Sequence, residues 1–333
     1  MRYFSVYEVN ERIDAHGNIL IPLDREQVLA ILHQIKKEGI TAVSIALLNS
    51  YKNNTHEQII KAMLKENGFT YVSSSEECEP SIKIVPRAHT VVVNSYLLPV
   101  FHDYLSNIRH SLGQGSSLKV MTSAGGLIDA DSYYPKDSLL SGPSGGVVGS
   151  AIISRQVNLQ KLLTLDMGGT STDVSRYEGC YDYRYELKVG GATIFGPFLY
   201  IETVAAGGGS ICFFDGMKFS VGPESAGAQP SPACYGAGGP LTITDVNLLL
   251  GRLHPERFGI PISKQAALER VEEMKRRSPK IAHMSHEKLL NGFMDIAHEK
   301  LAGAIHKISI SKYEPFALSQ YSILHKCHPH HIG

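Results

Sequence analysis

The segment LLTLDMGGTSTDVSRYEG, residues 162–179, constrains this chain more than any other stretch. An apolar run ends in Asp166, the group Gly168-Gly169-Thr170-Ser171-Thr172-Asp173 follows, and a second strand-like run begins. This spells strand, tight turn, strand, with the turn expected at Gly168 to Ser171. Such a hairpin offers backbone N–H groups and hydroxyls to a phosphate, because glycine lets the backbone approach closely. Asp166, at the end of the first strand, is placed to hold a Mg²⁺-bound water or to orient an attacking water, with Asp173 as a second candidate carboxylate. The segment is not a Walker loop: GxxxxGK[ST] is missing and no helix follows. A plain β-hairpin is the alternative reading of the same residues.

Three more Gly-rich stretches lie nearby. In LLSGPSGGVVGSAIIS (139–154), Gly142 and Ser144 open a helix of small residues. Its N-terminal N–H groups can face an anion, or its small residues can serve packing alone. In ETVAAGGGSICFFDG (202–216), Gly207, Gly208, Gly209 and Ser210 can form a backbone nest for an oxyanion, or a simple bulge. The clustering of these loops with the 168–171 turn predicts one shared ligand crevice. In VGPESAGAQPSPACYGAGGPLTITDVNLLLGRL (221–253), Asp245 begins a helical run, and helix capping and metal binding both remain open for it. Cys234 in the same stretch reads as a small buried thiol.

The rest of the pattern is α/β. Residues 1–120 alternate helices and strands and predict a mostly parallel sheet. Asp24 with Gln27, and Asn54 with Glu57, have the spacing of capping boxes. REQVLAILHQIKKEG and 56–68 read as amphipathic helices, and TAVSIALL (41–48), FTYVSS and SLKVMTS as strands. A long helix over TVVVNSYLLPVFHDYLSNI is expected to break or bend near Pro99. Residues 121–315 carry the Gly-rich loops, strands over roughly 183–222 and three helical runs after Asp245. Residues 316–333 form a divergent tail with no helix or strand period. Its His325, Cys327, His328, His330 and His331 have ligand chemistry without finger-like spacing.

A net charge of zero gives no basis for a nucleic-acid surface. No apolar run is long enough to span a membrane, and the N-terminus has no signal-peptide core. The five cysteines form no CxxC pair, and their odd number argues against a disulfide framework, so a cytoplasmic location is expected.

The Gly-rich stretches, in this order, together with VYEVNERIDAHGNI, RAHTVVVNSYLLPVF, TSAGGL and NLLLGRL, resemble the hydantoinase A/5-oxoprolinase family from about residue 5 to 315. The wording of DVSRYEG and TVAAGGGS is closer to 5-oxoprolinases than to hydantoinase or acetone carboxylase relatives. The resemblance implies an actin-like ATPase domain with a ribonuclease-H-like fold. It implies use of ATP and Mg²⁺ to activate a cyclic amide carbonyl by phosphorylating its oxygen. A hydantoinase B type partner then completes ring opening. The reaction expected first is 5-oxo-L-proline to L-glutamate, within glutathione metabolism. Relative to the family the chain reads as incomplete at both ends: a first phosphate loop is expected before it and an FGGAG-type adenosine loop after KISISK. Tyr200 and Ser231 stand where the family more often shows Asp and Gly. The chain alone is therefore expected to bind nucleotide weakly and to self-associate. The alternative is a non-catalytic pseudo-subunit that binds the B-type partner.

Overall fold

The computed structural model describes residues 5–113, 115–310 and, as a strand, 322–327. The described residues form two compact units that interleave along the chain, one drawn from residues up to 145 and from 183–199, the other from 146–182 and from 200 onward.

In the first unit, the helices Arg25–Lys37 and Thr55–Glu66 pack with a parallel pair of strands, Ala42–Ile45 and Tyr71–Ser74. Val28, Leu32, Ile45, Ile60, Leu64 and Val72 form its core. Each such side chain, fully buried, contributes about 1.5–3 kcal/mol relative to exposure. Asp24 caps its helix, its carboxylate accepting the Gln27 N–H at 3.0 Å, but Gln27 reaches back to the Asn10 N–H instead of closing a box. The Asn54–Glu57 pair is no capping box. Glu57 is fully buried and accepts the Leu47 and Glu76 N–H groups and the Ser75 hydroxyl. Tertiary partners on two other segments outcompete the local cap. The strand expected over 41–48 is limited to Ala42–Ile45.

The helix Ile84–Ser111 runs unbroken through Pro99. A proline inside a helix costs one backbone hydrogen bond, and packing along the helix outweighs it here. The polar residues of this helix are internal fasteners. Buried Arg87 donates to the Ser75 hydroxyl and to the Ser81 and Leu47 carbonyls. Thr90 Oγ1 accepts the Phe195 N–H at 2.8 Å, and Asn94 bridges Ser73 and the Lys136 N–H. The Thr90 bond fastens the antiparallel hairpin of Tyr183–Val189 and Ala192–Leu199 to this helix within the first unit.

In the second unit, the strands run in the order Ile201–Val204, Thr172–Tyr177, Leu162–Met167, Ser322–Cys327. The first three are mutually antiparallel and the last is parallel to Leu162–Met167. Part of the tail thus completes a sheet, although it carries no period of its own. His325 and Cys327 belong to this strand, while His328, His330 and His331 lie outside the described residues. Within residues 1–120, where a mostly parallel sheet is expected, the strands alternating with helices, Ala42–Ile45 and Tyr71–Ser74, pair in parallel, and the short strands Arg12–Ile13 and Ile19–Ile21 pair antiparallel. Short turns, as at 168–171, return a strand antiparallel to its neighbour.

Alternation along Leu162–Met167 splits its side chains between two faces. Leu163 and Val174 meet Ala304 and Ile308 of the helix His286–Ile310. Leu162 and Tyr177 meet Ala151 of the helix Ser141–Gln156. A larger core of Val246, Val271, Leu289 and Phe293 joins the helices Ile243–Leu249, Lys264–Arg277 and His286–Ile310 to the hairpin Ser210–Ser225.

Candidate nucleotide turn

Three rungs on one face of the 162–177 hairpin grow more polar toward the turn. Leu162 pairs with Tyr177, Thr164 with Ser175, and Asp166 with Asp173. Leu162 and Tyr177 are buried in the core, and the Thr164 and Ser175 hydroxyls bond each other. The two carboxylates, half-buried, stand at the last polar rung before the turn. A Cβ on Gly146 would lie 3.6 Å from Asp166 Oδ2, in ordinary contact, so the backbone of the helix passes next to this carboxylate. Asp173 accepts the Thr203 hydroxyl at 2.6 Å. Burial pushes the Asp173 carboxyl above the usual range, the Thr203 bond opposes this, and the charge of Asp166 adds to the rise.

The turn closes with the Gly168 N–H donating to the Ser171 carbonyl at 2.9 Å, at the position expected. The N–H groups of Gly169, Thr170 and Ser171 engage no acceptor among the described residues. Thr170 is exposed, and its hydroxyl is 3.5 Å from Ser225 Oγ. Three adjacent unengaged donors beside two carboxylates can take phosphate oxygens and an accompanying cation. Thr172, grouped with the phosphate ligands from sequence, is fully buried and gives its hydroxyl to the Ala206 carbonyl. Alternation turns it inward, so it braces the turn from below.

The 207–210 loop meets this turn directly, but not as an anion nest. The Gly208 N–H donates to the Gly168 carbonyl at 3.0 Å and the Gly209 N–H to the Gly169 carbonyl at 2.6 Å. The Gly207 N–H goes to Ser210 Oγ and the Ser210 N–H to the Gly207 carbonyl. All four donors that would make a nest are used internally. Glycine is needed here because of close approach: a Cβ on Gly207 would lie 2.7 Å from the Gly168 carbonyl oxygen.

Gly142 and Ser144 lie in the first turn of the helix Ser141–Gln156, in the first unit. Ser144 is fully buried and donates its hydroxyl to the Ser123 carbonyl at 2.9 Å, so its side chain is committed to packing. Asp245 is a capping residue. It is fully buried and accepts four bonds, from the Ala233, Cys234 and Thr242 N–H groups and the Thr242 hydroxyl. Thr242 is the N-cap and Asp245 the third helical residue of the box. These four bonds commit the carboxylate to the cap. Cys234 is buried with its thiol pushed well above the usual range by desolvation, which suits an inert core residue. Thr203, Ser225 and Thr244 are the site residues that sequence reasoning missed. The T-x-x-D spacing at Thr242 was a legible signal for the last, since it places a helix start there.

Among the described residues no helix is long and apolar enough to cross a membrane. Comparison with known proteins matches the hydantoinase/oxoprolinase N-terminal region over residues 1–68 and hydantoinase/oxoprolinase over residues 87–322. A 5-oxoprolinase of Saccharomyces cerevisiae is 40% identical over 87% of this chain, and the chain spans 24% of that protein. The caprolactamase subunit alpha of Pseudomonas jessenii is 32% identical over 93% of the chain, which spans 46% of it. The crystal structure of the ATP-dependent caprolactamase from the same organism superposes with a TM-score of 0.77 at 28% identity, over 97% of this chain and 50% of that one. A nucleotide-free acetone carboxylase gives a TM-score of 0.75 at 23% identity, over 92% of this chain and 45% of that one, a likeness of fold.

Proposed function

The chain belongs to the hydantoinase/oxoprolinase family, with the α/β actin-like fold of that group, and from this premise we propose that it carries the nucleotide-phosphate turn of an ATP-dependent hydrolase that opens a cyclic amide. The substrate we assign is 5-oxo-L-proline, opened to L-glutamate, in keeping with the 5-oxoprolinases among its relatives. The observation that carries the reading is the turn itself: three unengaged N–H groups at 169–171 next to the Asp166–Asp173 rung.

A lactam carbonyl is a poor electrophile, and bound Mg·ATP supplies the activation that water alone does not. The residues that fit this group are Gly169, Thr170 and Ser171 for phosphate oxygens and Asp166, with Asp173, for the cation. Fixed donors aimed at phosphate cost no reorganisation during reaction, which is where positioning supplies catalysis. Asp166, close to the turn, would hold the cation or a water beside a bound phosphate. Asp173, held by Thr203, sets the charge of the pair. A hydantoinase B type partner belongs to this proposal, as the alpha designation of the caprolactamase relative suggests for that enzyme, and so do a cytoplasmic setting and a place in glutathione metabolism.

The test is a protein carrying this chain, supplied with Mg·ATP and 5-oxo-L-proline, with and without a B-type partner, assayed for ADP and glutamate. Stoichiometric ADP and glutamate support the reading. Partner binding with no turnover under every condition supports a pseudo-subunit instead.

A further inference from the structure

The carbonyl of Gly208 is held twice by one residue. Thr244 donates to it through its backbone N–H at 2.8 Å and through Oγ1 at 2.9 Å. Gly208 in turn donates to the Gly168 carbonyl, and Gly209 to the Gly169 carbonyl. A Cβ on Gly208 would sit 2.9 Å from Thr244 Oγ1, so the contact leaves no room for a side chain. Thr244 is itself fixed, because it lies between Thr242 and Asp245, whose reciprocal bonds cap the helix Ile243–Leu249. Asp245 extends the anchor by accepting the N–H groups of Ala233 and Cys234. A line of short polar contacts thus runs from Thr244, held in the backbone of the capped helix start, through Gly208 to the turn at 168–169.

The line also decides which way the turn's polarity is used. Its two glycine carbonyls are consumed by Gly208 and Gly209, which leaves the next three N–H groups as the unengaged ones. A phosphate is repelled by carbonyl oxygens and drawn to N–H groups, so pinning the carbonyls is what makes the turn selective for an anion. A turn of this glycine content would otherwise sample several peptide orientations.

We propose that Thr244 is a positioning residue for the nucleotide turn, acting through Gly208 to hold the Gly168 and Gly169 carbonyls away from the bound phosphate. This rests on reading 168–171 as a phosphate site. Thr244 touches no reacting atom. Its effect is felt as affinity for a phosphorylated ligand, with little effect on whether the chain folds.

The experiment compares the full chain with Thr244→Val and Thr244→Ser. Mg·ATP affinity is measured by titration calorimetry below the melting transition, and amide exchange is followed by mass spectrometry over 205–210 and over 289–304. Thr244→Val is expected to weaken Mg·ATP about tenfold, the size of one well-placed hydrogen bond, and to speed exchange over 205–210 while leaving 289–304 unchanged. Thr244→Ser keeps the hydroxyl and is expected to restore both. Unchanged exchange over 205–210 in Thr244→Val overturns the brace, whatever the affinity. Faster exchange with unchanged affinity overturns the positioning role. A wild-type chain that fails to bind Mg·ATP, even where Thr244→Val loosens 205–210, overturns the phosphate-site reading and the positioning role with it, leaving only a structural contact. Equal acceleration over 289–304 marks Thr244 as a residue of general stability and overturns the proposal too.

Discussion

Asp166 and Asp173 are direct partners across the 162–177 hairpin, on its last polar rung before the turn. Two carboxylates on adjacent strands, directly opposite, repel each other unless a proton or a cation intervenes. The raised pKa of Asp173 reflects burial first and this neighbour last. The rung thus sets two carboxylates opposite each other, beside the open N–H groups of the turn.

Replacing Asp166 by Asn keeps the shape of the rung and removes the charge assigned to the cation or water. Turnover of ATP with 5-oxo-L-proline is expected to fall by about a hundredfold or more, with the cooperative melt of the fold retained. Steady-state ADP release and a thermal melt check this together. Near-normal turnover with an unchanged pH profile would remove Asp166 from the chemistry.

Asp173 predicts a pH dependence of stability with a definite sign. Its folded pKa is raised, so the native state holds the proton more tightly than the unfolded chain does. As pH climbs from the ordinary aspartate value to the raised one, the unfolded chain releases its proton first. Stability falls across that window, and the loss persists above it. Asp173→Asn is expected to flatten this slope and to equal or exceed the parent at neutral pH. Urea midpoints taken between acid and neutral pH measure it. A parent whose stability rises through the window without any flattening in the variant contradicts the assignment.

Gly207 in its loop and Gly149 in a helix should respond in opposite ways to alanine. At Gly207 a Cβ meets the Gly168 and Gly169 backbone at 2.7 Å, and backbone cannot swing aside. Gly207→Ala is expected to cost roughly 2 kcal/mol or more, in the range of overpacking. Gly149 lies mid-helix with nothing within 4 Å of its Cβ position, so Gly149→Ala is expected to gain about 0.5–1 kcal/mol from helix propensity. Denaturant unfolding of both variants side by side is the measurement. A harmless Gly207→Ala would mean the two loops are not in contact.

Arg87 sits fully buried among the Ser75 hydroxyl and the Leu47 and Ser81 carbonyls, with buried Glu57 sharing Ser75 and Leu47. Removing one charge strands the other away from water. Arg87→Met is expected to destabilise the first unit by roughly 3 kcal/mol or more, and Arg87→Met with Glu57→Gln by less than the sum of the single changes. A double-mutant cycle by urea unfolding reads the coupling, and strict additivity would show that the two charges act separately.

Local chemistry in the sequence was enough to locate the 162–177 hairpin, its turn at Gly168 to Ser171, the helices after Asp245 and the family. Apolar runs and Gly-Gly act within a few residues, and such signals survive without knowledge of the rest of the chain. Tertiary structure alone decided what became of each polar group. Whether Gly207 to Gly209 grip an anion or grip the turn depends on carbonyls some forty residues away, and on Thr244 beyond them. Whether Asp245 binds a metal depends on the Ala233 and Cys234 N–H groups reaching it first. Glu57 exchanged a helix cap for the Leu47, Ser75 and Glu76 donors in the same way. The tail strand Ser322–Cys327 exists because Leu162–Met167 offers it an edge, not because its own residues alternate. A hydrogen-bonding group has a small number of partners, and which partner takes it is a long-range question that no sequence window contains.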